Sequence, residues 1–228
     1  MFEIIPGILE KEWVEIERKI NIAKQFAKAI HIDIIDGKFA PNTTFLDPSP
    51  FAKYAKDIFF ELHMMVDNPI QYLKPFADAG FKRFLGHIEK MPDQAEFVAQ
   101  AQILGEVGLA VDGPTPPDAI KVPYRDLDAV LIMTIKAGFS GQKLNPEYLK
   151  KVETLRSAMQ NQGDPLAHST GSGRAGSGLV IEVDGGINDQ TIIAAKDAGA
   201  TRFVANSFIF DNLNPKIQYE VLKQEILK

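Results

Sequence analysis

One alternation constrains this fold more than any other feature. Eight short apolar runs, at about 3–9, 28–34, 57–66, 82–88, 106–112, 127–135, 179–184 and 201–206, are separated by segments of mostly helical period. Parallel strands need a long crossover, and a helix is the usual one, so strands alternating with helices predict a parallel sheet. Amphipathic stretches occupy 11–27 (KEWVEIERKINIAKQFA) and 68–79 (NPIQYLKPFADA). Gly80 and Gly199 stand where a helix needs a left-handed residue to end. Eight such units predict a closed (β/α)8 TIM barrel, and 228 residues suit that fold as one domain spanning 1–228.

Residues 161–178 (NQGDPLAHSTGSGRAGSG) interrupt the pattern. Rich in Gly and Ser, they have too little apolar surface to offset ordering, so a flexible loop is expected. It would leave the barrel at the face away from the usual site of chemistry.

Composition narrows the function classes. The formal charge of −5 disfavours nucleic acid, which calls for basic patches. No run approaches the length of a membrane span, and the N-terminus MFEIIPGILEKEW shows no basic region followed by an apolar one, so a cytoplasmic protein is expected. With no cysteine, a metal site would have to use histidine and carboxylate.

There are four histidines, and His31, His63 and His87 are predicted near the C-terminal ends of strands 2, 3 and 4, where barrels keep their chemistry. In HIDIIDG, His31 and Asp33 lie two apart on a strand and project to one face. An isolated His-x-Asp is ordinarily a structural pair. His63 on the adjacent strand, followed two residues later by Met65, shifts that balance. Asp184 ends strand 7 in IEVDGGI. Two histidines and two carboxylates on three strand ends would suit one divalent ion, Zn²⁺, Fe²⁺ or Mn²⁺.

Gly185 and Gly186 follow strand 7, and Asn206 and Ser207 follow strand 8. Barrels often bind phosphate between these two loops, where glycine lets backbone N–H groups approach an anion. The plainer role for Asn206 and Ser207 is capping the last helix. The KAGFSGQ loop after strand 6 is a candidate lid: Gly138 and Gly141 make it pliable, and Phe139 gives it an apolar tip beside Ser140. Met65 and Met133 are core residues by default; a polarizable thioether also tolerates an enediolate.

Taken together, HIDIIDGKFAPNTTF (31–45), ELHMMVDNP (61–69), LAVDGPTP (109–116), LIMTIKAGFSGQK (131–143) and IEVDGGIN (181–188) make the chain resemble the ribulose-phosphate 3-epimerase family. The resemblance implies a metal-dependent epimerase acting on a sugar phosphate, in a homo-oligomer (a dimer or hexamer). It implies His31, Asp33, His63 and Asp184 as metal ligands, and Asp33 and Asp184 as the acid/base pair on opposite faces of a planar intermediate. By the same resemblance, substrate and its phosphate would meet His63, Gly138, Phe139, Ser140, Gly141, Gly185, Gly186, Asn206 and Ser207. Met65 and Met133 would stand near the reacting carbons.

Departures from the family pattern cluster on substrate contacts. Gly7 replaces a Ser, Ile35 a Met and Asp112 a frequent Asn. Lys136-Ala137 precedes the lid in place of the usual pair, Ser140 replaces a lid Gly, and Asn206 a Gly. The expected reaction interconverts D-ribulose 5-phosphate and D-xylulose 5-phosphate at C3. Alternatives are 3-epimerisation of a ketohexose 6-phosphate, a sugar-phosphate-binding barrel without turnover, and another phosphate-binding barrel such as a decarboxylase. The last does not account for the two histidines beside two carboxylates.

Overall fold

The computed structural model describes residues 2–161 and 178–228; the loop expected at 161–178, with His168, lies outside the described residues except at its two ends. Eight parallel strands close a barrel in chain order: β1 (Glu3–Ile8), β2 (Ala29–Ile35), β3 (Phe59–Met65), β4 (Arg83–His87), β5 (Glu106–Val111), β6 (Ala129–Met133), β7 (Val180–Asp184) and β8 (Arg202–Ala205). Each strand lies within two residues of its expected bounds.

The helices are α1 (Trp13–Ala23), α2 (Ile70–Asp78), α3 (Gln94–Leu104), α4 (Pro146–Asn161), α5 (Ile192–Ala198), α6 (Ser207–Phe210) and α7 (Pro215–Glu225). Helix does not follow every strand, which departs from strict alternation. After β2 there is one 3₁₀ turn, Ser49–Lys53, and after β5 there are two, Pro117–Ala119 and Tyr124–Asp126. Pro41, Pro48 and Pro50 punctuate the first connection, and Pro114, Pro116, Pro117 and Pro123 the second. Each removes a backbone donor, so a continuous helix cannot run through either. Gly80 and Gly199 do end their helices, at φ +98° and +114°.

Strand alternation divides the core in two. Ile30, Ile32 and Ile34 of β2, and Phe60, Leu62 and Met64 of β3, face outward and pack under the helices in one large cluster. A second cluster, including Ile35, Met65, Leu85, Leu131 and Met133, fills the barrel interior. Further inward positions are polar. Glu61, Glu182, Arg83 and Arg202 are buried there, below His31. Among the described residues, no helix is long and apolar enough to cross a membrane.

Candidate active site

Strand register assembles the site. Asp33 lies opposite His63 across β2 and β3, and Met133 lies opposite Asp184 across β6 and β7. All four project inward. β2 continues to Ile35, so His31 sits at mid-strand and not near the strand end as expected. From there the ring spans two levels. Nε2 lies 3.2 Å from Asp33 Oδ1 and 4.0 Å from Asp184 Oδ2, while Nδ1 lies 2.5 Å from Glu61 Oε1. His63 turns the other nitrogen inward: Nδ1 is 2.7 Å from Asp33 Oδ1 and 3.6 Å from Asp184 Oδ2.

One donor atom from each of His31, Asp33, His63 and Asp184 lies within 4.8 Å of the other three. The donor set suits a divalent ion of the zinc, iron or manganese type. The level below completes His31. A carboxylate on the far nitrogen fixes the imidazole and leaves Nε2 as the inward donor, and Glu61 occupies that place. Glu61 is itself held by Arg83 Nη1 at 2.6 Å.

Electrostatics separates the carboxylates. Burial raises Asp184 first, the charge of Asp33 adds to it, and its carboxyl is held up to about 7. Burial acts on Asp33 too, but the charge and hydrogen bonds of His31 and His63 outweigh it, bringing Asp33 down to about 2. His31 is buried, yet Asp33, Glu182 and Glu61 hold its pKa well above the usual imidazole value. Glu182 is pushed up by burial and by Glu61. A cation among the four donors would take the place of the His31 proton.

Above the cluster, a cavity of about 450 Å³ opens at the barrel mouth. Asp33, Met65, Met133, Asp184, Gly138, Phe139, Ser140, Gly141, Gly185, Gly186, Asn206 and Ser207 all line it. His63 does not; it lies wholly buried beside Asp33. The cavity also takes in Leu9, Ile135, Ile187 and Val204, which the sequence reading left out. Gly7 does not widen it, because a Cβ there would stand 2.8 Å from Val204 Cγ1.

The glycines have physical reasons. A Cβ on Gly186 would stand 2.4 Å from the backbone nitrogen of Leu144, and one on Gly185 2.4 Å from Ile135. Two side chains tie the candidate lid to its neighbours: Ala137 N–H donates to Asp112 Oδ1 at 2.8 Å, and Asn42 Nδ2 donates to the Gly138 carbonyl at 2.8 Å. Phe139 at the tip is 49% exposed. Asn206 precedes the short helix α6, its side chain makes no capping bond, and α7 is the last helix.

The sequence reading assigned no role to Glu61, Glu182, Arg83 or Arg202. The available signal was spacing, since Glu61 and Glu182 stand two residues before His63 and Asp184 on the same inward faces. His87 ends β4 as expected but falls outside the four-donor cluster.

A closed eight-stranded barrel with an acidic and imidazole cluster under a glycine-lined mouth defines a TIM barrel with a candidate active site at the barrel mouth. Residues 3–210 match the ribulose-phosphate 3 epimerase family, and the chain belongs to that family of isomerases. It is 32% identical over 232 residues to a ribulose-phosphate 3-epimerase of Schizosaccharomyces pombe, covering 99% of this chain and 94% of that protein. The Chlamydia muridarum protein of the same name is 34% identical over 210 residues, covering 90% and 87%. The Bacillus subtilis one is 30% identical over 220 residues, covering 95% of each. Among solved structures, 3-hexulose-6-phosphate synthase from Salmonella typhimurium superposes with a TM-score of 0.67 at 12% identity, over 99% of this chain and 98% of that one. Phosphoribosyl anthranilate isomerase from Thermus thermophilus gives 0.64 at 12%, over 99% and 98%. These two likenesses concern the fold alone.

Proposed function

We propose that the chain interconverts D-ribulose 5-phosphate and D-xylulose 5-phosphate by moving the C3 proton through a planar enediolate. Its cofactor would be one divalent cation, Zn²⁺, Fe²⁺ or Mn²⁺, held by His31, Asp33, His63 and Asp184. The observation that carries the reading is the meeting of His31, Asp33, His63 and Asp184 beneath one cavity, with one donor atom of each within 4.8 Å of the others. The environments of the two carboxylates differ, burial raising Asp184 and the imidazoles lowering Asp33, which is how two like residues can take different roles.

A divalent cation at this site supplies charge stabilisation for the enediolate oxygens. The chain's own groups do the rest. One of Asp33 and Asp184 accepts the C3 proton from one face, and the other returns a proton from the opposite face. The roles exchange when the reaction runs backwards. Met65 and Met133 supply an apolar, polarizable wall beside the reacting carbons. Gly185, Gly186, Asn206 and Ser207 from the β7 and β8 loops, with Gly138 to Gly141 from the lid, receive the phosphate end.

The test is assay of ribulose 5-phosphate and a ketohexose 6-phosphate side by side, with metal analysis of wild type and His63→Ala. Pentulose turnover, one bound metal ion per chain and loss of both in His63→Ala are expected. Normal metal content and rate in that variant would overturn the assignment. Faster turnover of the hexulose would move the substrate to the alternative, and bound metal without any exchange of the substrate α-proton would point to a non-catalytic barrel.

A further inference from the structure

His31 and His63 are treated differently by their surroundings. A metal-bound imidazole carries its proton on the nitrogen that faces away from the ion, and that N–H needs an acceptor. His31 has Glu61 for this purpose. His63 points Nδ1 at Asp33 and Asp184, which leaves Nε2 as the outer nitrogen. That atom is buried and has no hydrogen-bond partner among the described residues. A buried imidazole N–H without an acceptor is costly.

Beside it stands a second orphan. His87 is fully buried, and its Nε2 also has no partner among the described residues. The two rings are 5.0 Å apart between centroids and inclined by 30°. Ring centroids 5.0 Å apart are within the range at which two imidazole nitrogens can approach to a hydrogen bond of about 3 Å. Their chemistry is complementary. His87 Nδ1 lies 2.9 Å from Glu89 Oε2. The other Glu89 oxygen accepts from the Asp112 N–H, so both Glu89 oxygens act as acceptors, as an ionised carboxylate does. His87 must therefore carry its proton on Nδ1, which makes Nε2 a lone-pair acceptor.

The anchor is firm. Glu89 Oε1 accepts from Asp112 N–H at 2.7 Å, and the Phe39 ring lies against His87 at 4.6 Å. Neither His63 nor His87 lines the cavity, so the orphaned nitrogens do not face substrate.

We infer that His87 is a positioning residue for the metal site: its Nε2 accepts the proton that His63 carries on Nε2 when Nδ1 is a ligand. Glu89 fixes the His87 tautomer, as Glu61 fixes His31 from the other side. The inference rests on the metal reading proposed above.

The test uses the full chain loaded with Zn²⁺ and labelled with ¹⁵N-histidine. Long-range proton–nitrogen spectra of wild type should show His63 protonated at Nε2 and His87 protonated at Nδ1 only. His87→Phe keeps a ring against Phe39 but removes the acceptor, and should weaken Zn²⁺ binding by about ten- to hundredfold, the usual effect of losing such a partner. His87→Gln, whose amide oxygen reaches the Nε2 position, should recover most of that affinity. A proton on His87 Nε2 in the loaded wild type overturns the inference, and this measurement decides even if His87→Phe does not fold. So does a Zn²⁺ dissociation constant in His87→Phe within twofold of wild type. His63→Ala separates the two readings. If it binds Zn²⁺ like wild type, the metal assignment itself fails. If it loses Zn²⁺ while His87→Phe does not, only the role of His87 fails.

Discussion

Glu61 lies directly beneath His31, its Oε1 2.5 Å from Nδ1, and neither residue has any exposure to solvent. Its other oxygen is bound by Arg83, and Arg202 Nη1 approaches to 3.8 Å. Glu61 therefore joins the site to the buried charge layer under it. Burial works against ionisation of Glu61, but Arg83, His31 and Arg202 keep it well below the usual carboxylate range. Glu182, on the same level, is pushed the opposite way.

This difference predicts unequal costs for two similar substitutions. Glu61→Gln removes the buried carboxylate that pairs with Arg83 Nη1 and His31, and should cost about 3–5 kcal/mol, read as a fall in Tm on the order of 10 °C. Glu182→Gln removes a carboxylate whose charge burial and Glu61 already disfavour, and should cost less than Glu61→Gln. Equal losses in thermal unfolding would contradict this difference.

The acid/base pair is tested by isotope exchange. Asp33→Asn and Asp184→Asn should each block full epimerisation. Each should still exchange the proton of the epimer facing its surviving carboxylate. Deuterium uptake from D₂O into each epimer, measured on protein shown to retain metal, reads this directly. Epimerisation at the wild-type rate in either variant would remove that residue from the mechanism.

Gly186 and Gly141 both have positive φ, +68° and +78°, but differ in room. A Cβ on Gly141 meets nothing within 4 Å, whereas one on Gly186 strikes the Leu144 backbone. Gly141→Ala should cost the left-handed strain alone, about 1–2 kcal/mol. Gly186→Ala must also displace backbone beside the candidate phosphate site, so its Tm should fall further. Its inhibition by inorganic phosphate should weaken by roughly tenfold, about 1.4 kcal/mol. A Gly186→Ala protein as stable as Gly141→Ala, with unchanged phosphate inhibition, would contradict this.

Glu89 predicts a pH dependence. Burial opposes its ionisation, but His87 and the Asp112 N–H bring it from 4.5 down to about 2. A depressed carboxylate stabilises the fold above its unfolded pKa and loses that contribution as pH falls through the folded value. The stability gap between wild type and Glu89→Gln should be full above pH 5, at about 3 kcal/mol, and should close towards pH 2. Denaturant midpoints across that window check it, and a gap that stays constant would rule it out.

The period-two alternation of β2, β3 and β7 determined, from sequence alone, which side chains enter the barrel. That alternation puts His31, Asp33 and His63 on inward faces, and Asp184 was legible from its place at the end of strand 7 before two glycines. The barrel itself was legible because parallel strands need crossovers and eight strands close. The two crossovers that are not helices were written in their prolines, which the apolar pattern alone passes over. What only the tertiary structure decided depends on distances between strands remote in the chain. Glu61, Arg83, Glu182 and Arg202 become one buried network only after β3, β4, β7 and β8 meet inside the barrel. The same holds for protons. Asp33 and Asp184 are the same residue type at the mouth of one barrel, and no local sequence rule separates them. Asp33 lies closer to both imidazoles, and Asp184 is left with burial and its neighbour's charge. Electrostatic energy in a low-dielectric interior varies steeply over an ångström, a scale that residue order does not encode.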